Sequence, residues 1–83
     1  MSKELEELEE IARAATKKAL EDYLIPDEYN GELVLGTQFK EDKRVFELYL
    51  PGDKPQDAIV ISSAEVDRKT KKVLVVVTNL ELK

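Results

Sequence analysis

The side chains that could do chemistry in this sequence are hydroxyls and carboxylates. Ser62 and Ser63 stand side by side in an apolar stretch. A serine becomes a nucleophile when a neighbouring base takes its proton. The chain has no histidine to act as that base, so both serines read as small polar residues of a strand. Asp22, Asp27 and Glu28 form one acidic group, and Asp53 and Asp57 another. Two carboxylates across a cleft can hydrolyse glycosides when one has a raised pKa. A chain of 83 residues with one core leaves little room for such a cleft. Asp67-Arg68-Lys69-Thr70 offers an acid and a hydroxyl, but not the oxygen spacing of a calcium loop. It reads as a hairpin turn in which Asp67 accepts from nearby backbone N–H groups. There is no cysteine, hence no thiolate site, and no phosphate loop, dinucleotide glycine pattern or zinc spacing. No catalytic, cofactor-binding or metal-ligating residue is expected, and the chain is not expected to be an enzyme.

Composition narrows the partners. Charged residues are 37% and apolar residues 42%, a balance that suits a globular domain. Net charge is −5, with acids gathered at Glu4, Glu6, Glu7, Glu9 and Glu10. Phosphate binding needs a cationic stripe, so nucleic acid is not an expected partner. The acids instead suit a solvated helix face and the positive end of the helix dipole. No apolar run approaches the roughly 18 residues of a membrane span. Residues 1–24 are too charged for a signal peptide, so a soluble, cytoplasmic protein is expected.

The elements follow from spacing. Ser2 is a good N-cap, and Leu5, Leu8, Ala12, Ala15, Ala19 and Tyr23 recur at three- and four-residue steps. Ile11 and Leu20 widen the stripe, and Pro26 stops it, which predicts a helix over about 3–24. Alanines at the centre of the stripe let a helix sit close to a sheet. Residues 25–31 are rich in breakers. Four strands follow, at about 32–40, 44–50, 58–66 and 72–82, joined by short polar turns and one longer loop around Pro51-Gly52-Asp53-Lys54-Pro55. Short spacers mean hairpins. The expected fold is α+β, one domain over 1–83, with one N-terminal helix on a curved four-stranded antiparallel meander. Gly36, inside the first strand, predicts a kink that lets the sheet curl.

One helix covers one face of such a sheet, and the other face should alternate with polar residues. Ala58–Ile61 and Val73–Val77 are apolar throughout and do not alternate. If Phe46, Leu48, Leu74, Val76 and Leu80 face the helix, then Val73, Val75 and Val77 face away. Tyr49 joins them, with either Ile59 and Ile61 or Val60. An apolar patch of that size on a monomer is a candidate interface, for a second copy or for another protein. The alternative is that valine and isoleucine are there for their strand preference alone.

Two resemblances stand beside this reading. Residues 43–50 (Lys-Arg-Val-Phe-Glu-Leu-Tyr-Leu) and 64–74 (Ala-Glu-Val-Asp-Arg-Lys-Thr-Lys-Lys-Val-Leu) resemble the strand and the Val-Asp-x-x-Thr-Gly-Lys-Val-Leu hairpin of PepSY domains. Lys71 stands where that family has its turn glycine, which would cost about 1 kcal/mol at a left-handed position. The resemblance implies a helix wrapped by a curved sheet, as in cystatins, and inhibition of peptidases. The cystatin loop motif itself is absent. The opening Ser-Lys-Glu-Leu-Glu-Glu-Leu-Glu-Glu, the missing cysteine, histidine and tryptophan, and the Lys/Glu surface resemble computationally designed proteins. That resemblance implies a stable scaffold with no intrinsic activity. The expectations are therefore a de novo scaffold, a binding or dimerisation module using the open sheet face, or a PepSY-like inhibitor.

Overall fold

The computed structural model describes residues 3–83, so the expected cap Ser2 lies outside the described residues. Helix α1 spans Lys3–Leu20, with Glu4 and Glu6 in its first turn and Lys17 and Lys18 in its last. Both ends thus carry charges that complement the helix dipole. The helix stops short of the expected Leu24. Tyr23–Leu24 instead form a short strand, β1, antiparallel to β6 at Glu81–Leu82, and Lys83 N–H donates to Asp22 O at 3.0 Å. Pairing with the distant C-terminal segment here outweighs continuation of the helix.

After a 3₁₀ turn at Asp27–Tyr29 the chain builds four strands: β2 Val34–Phe39, β3 Lys43–Leu50, β4 Ile59–Asp67 and β5 Val73–Val77. They form one antiparallel sheet in the order β2-β3-β4-β5, so the expected α+β meander is the observed one. The expected fourth strand over 72–82 is interrupted. Thr78 Oγ1 and Asn79 Nδ2 both donate to Val60 O, at 2.9 and 2.8 Å, and Asn79 takes a left-handed φ of 59°. Asparagine tolerates that region. The chain turns there, away from β4 and toward β1.

Register fixes the faces. Phe46 pairs with Ala64, and Ala64 with Val75; Val66 pairs with Val73. Leu8, Ala12, Phe46, Ala64 and Val66 form the buried core, with Leu5, Ile11, Leu35, Val73 and Val75 packed against it. A bulge lies between Leu48, opposite Ser62, and Tyr49, opposite Val60, and leaves Ile61 as the extra residue. Ile61 is fully buried. At Gly36 a Cβ would lie 3.2 Å from Tyr49 Cε1. The Tyr49 ring therefore covers the backbone where the edge strand has no side chain.

Candidate binding groove

Helix α1 lies over β4 and β5 and barely reaches β3. The helix-facing side of β2 and β3 is therefore left partly open. Leu35 from β2 and Phe46 and Leu48 from β3 floor a groove there. Ala12, Thr16 and Leu20 of the helix form one wall, and Ile25, just after β1, joins the lining. Because β1 pairs with β6, Ile25 is carried across the end of the helix. The groove holds about 520 Å³, within the roughly 300–1,000 Å³ typical of small-molecule sites.

Its chemistry is simple. The floor offers no charge, and Thr16 supplies the one hydroxyl among the lining residues. Arg13, Lys17 and Glu21 stand at the rim. Arg13 Nη2 is 3.4 Å from Glu9 Oε1, an exposed pair one helical turn apart. Such a pair contributes little to stability.

The residues whose protonation is perturbed lie elsewhere. The hydrogen bond from Arg68 holds the Glu4 carboxyl below its usual range, and the same contact raises Arg68. Backbone N–H groups of Thr70 and Lys69 hold Asp67 low, donating to Asp67 Oδ1 at 3.0 and 2.8 Å. Glu4 and Arg68 tie the β4–β5 turn to the first turn of α1, Asp67 holds the turn itself together, and none of the three lines the groove. Among the described residues no group of His, Cys, Asp or Glu side chains could hold a metal ion, and no helix is long and apolar enough to cross a membrane. Ser62 is buried and its Oγ has no hydrogen-bond partner among the described residues, while Ser63 is half-buried.

The six residues expected on the open sheet face do not gather there. Val73 and Val75 pack beneath the helix, and Val77, opposite Ser62, shares their face. Ile61 is wholly buried at the bulge, and Ile59, opposite Leu50, is 38% exposed. Tyr49 does lie on the open face, over Gly36 and beside Glu47 and Val60. The expected pairing of faces was inverted along β5: Leu74 and Val76 are the residues pointing away, 63% and 50% exposed. The reason is geometric, since a one-residue change of phase moves every side chain of a strand to the other face. Polar pairs occupy much of the remaining open face, with Gln38 Nε2 donating to Glu47 Oε1 at 2.6 Å and Lys43 Nζ 3.6 Å from Glu65 Oε1. The groove was missed because its floor residues read simply as core. The signal for it lay in the number of elements: one helix of this width cannot cover four strands.

No protein-family profile matches this chain, and no curated protein or solved structure shows significant similarity to it.

Proposed function

We propose that this chain is a non-enzymatic binding domain whose site is the groove between the C-terminal half of α1 and strands β2 and β3. The observation that carries the reading is the lining: Leu20, Ile25, Leu35, Phe46 and Leu48 surround about 520 Å³ with no charge at the floor. An apolar concavity of this size with a polar rim is the usual form of a small-molecule site. The rim carries both signs, from Arg13 and Lys17 against Glu21. The nearby helix end at Leu20 presents the negative end of the dipole, which opposes an anion. The ligand class that fits is an uncharged, hydrocarbon-rich molecule with at most one polar group, placed to meet the Thr16 hydroxyl.

The test is titration with the neutral dye Nile red, followed by fluorescence and by the methyl resonances of Leu20, Leu35 and Leu48. Thr16→Phe fills the groove from its wall. Saturable binding that shifts these methyls and is lost in Thr16→Phe is the expected result. Binding untouched by Thr16→Phe, or shifts confined to Leu74 and Val76, would overturn the reading.

A second reading, a scaffold of designed origin that binds nothing, draws on the agreement of local choices. Acids and lysines sit at the correct helix ends, and an aromatic ring covers the edge glycine. This reading expects folding to survive well beyond the ordinary melting range of small domains. A thermal transition inside that range would count against it.

A further inference from the structure

Among the described residues no strand pairs with the outer side of β5, and the phase of its hydrogen-bonding groups can be read from the structure. Asp67 N–H donates to Lys72 O at one end of the β4–β5 ladder, and Thr78 N–H donates to Ile61 O at the other, both at 2.9 Å. Antiparallel pairs alternate between bonded and non-bonded positions. Between those two ends, Leu74 opposite Glu65 and Val76 opposite Ser63 are bonded positions. Val73, Val75 and Val77 are not, so their N–H and C=O groups point outward, away from β4.

We infer that two copies of this chain join through β5, antiparallel about a two-fold axis at Val75, into one continuous eight-stranded sheet. Centring on Val75 makes Val75 face its own copy and Val73 face Val77 of the second copy, so that all three outward residues are bonded on both chains. Any other centre within the strand pairs fewer of them. A strand offered as a template in this way is ordinarily blunted by a charge, a proline or a bulge. Val73–Val77 contains none of these. The opposite edge, β2, is interrupted by Gly36 and carries Thr37 and Gln38, and Arg44 sits over the Phe39 ring at 4.8 Å.

Side chains on both faces agree with the same axis. Leu74 of one copy falls opposite Val76 of the other, at non-bonded positions where cross-strand side chains approach most closely. The two most exposed residues of β5 thereby cover each other. On the helix face, strands about 4.8 Å apart place two helices, each lying over β4 and β5, about 10 Å apart, a normal packing distance. Glu7, Ile11, Ala14 and Lys18 recur at three- and four-residue steps on the side of α1 away from the groove. Glu7 marks that side by its approach to Lys71 Nζ at 3.9 Å. Antiparallel helices bring Glu7 of one copy toward Lys18 of the other, so the charges complement each other across the axis. This assembly does not depend on the groove having a ligand.

The experiment is sedimentation of the full chain at micromolar and near-millimolar concentration, combined with amide exchange by NMR. Two variants accompany it. Val75→Pro removes an outward N–H without removing a bond to β4, a place where an edge strand accepts proline. Leu74→Lys leaves every backbone group in place and changes only an exposed side chain. The expected result is a wild-type dimer at high concentration that dissociates on dilution, with Val73, Val75 and Val77 amides protected only in the dimer, and monomers for Leu74→Lys and Val75→Pro. Should Val75→Pro fail to fold, Leu74→Lys and the exchange data decide the matter. A wild-type monomer at near-millimolar concentration overturns the proposal. So does a dimer in which those three amides exchange freely, or one that Leu74→Lys leaves equally tight.

Discussion

Arg68 donates to both carboxylate oxygens of Glu4, from Nε to Oε1 at 2.7 Å and from Nη2 to Oε2 at 3.2 Å. The contact fastens the first turn of α1 to the hairpin between β4 and β5, across a sequence separation of 64 residues. It lowers the pKa of Glu4, as backbone N–H groups lower that of Asp67. A carboxylate lowered in the folded state contributes stability that is fully present above its unfolded pKa. That contribution is lost as pH falls through the folded value. Thermal melts across the acid range should therefore show stability falling below the ordinary carboxylate range. Glu4→Gln should be less stable than wild type at neutral pH and should converge with it in acid. A constant difference between the two at every pH would rule out this linkage.

Lys71 sits at φ 63°, left-handed, in the turn after β4. A side chain there is strained, and glycine is not. Its ion pair with Glu7, at 3.9 Å and largely exposed, offsets little. Lys71→Gly should raise stability by about 1 kcal/mol, measured by urea unfolding with an unchanged slope. A loss of stability would mean that the lysine side chain contributes more than its backbone costs.

Ser62 lies within the sheet at 1% exposure, and its Oγ meets no acceptor or donor among the described residues. It stands between Leu48 of β3 and Val77 of β5. A buried hydroxyl without a partner costs about 1–3 kcal/mol. Ser62→Ala removes that cost and leaves only a small gap. The variant should unfold at higher denaturant concentration than wild type, by the equivalent of about 1 kcal/mol. Unchanged or reduced stability would show that the hydroxyl finds a partner in solution.

The helix, the four long strands and their antiparallel order were legible because each has its own period and its own punctuation. Leu8 and Ala12 mark the helix stripe, and Asp67 and Thr70 mark the last hairpin. The β1–β6 pair was not legible, because Tyr23 continues the helical spacing and only a partner near the other end of the chain draws it into a strand. The groove was not legible either, since Leu35, Phe46 and Leu48 have the same sequence signature whether a helix covers them or not. The face of β5 was hidden by its composition: Val-Leu-Val-Val-Val has no polar residue to mark the outside. The mark lay one strand away. Ser63, Glu65 and Asp67 alternate with Ala64 and Val66 in β4, and counting back across the Asp67–Lys72 turn places Val73 and Val75 inside.

That placement is open to a direct comparison of neighbours. Val75 packs against the core beneath α1, whereas Val76, the next residue, is 50% exposed on the opposite face. Truncating a half-buried valine removes two methyl groups from a packed site, worth about 1–2 kcal/mol when the site is partly covered. Truncating the exposed neighbour removes little packing, and only the strand preference of valine is lost, a few tenths of a kcal/mol by the usual scale. Val75→Ala should therefore destabilise the fold clearly more than Val76→Ala when both are unfolded in urea at low protein concentration. Low concentration matters, because self-association through β5 would bury Val76 and raise the cost of its truncation. The gap between the two variants should then narrow as the protein is concentrated. An equal cost at every concentration, or a larger one for Val76→Ala in dilute solution, would return Val75 to the open face.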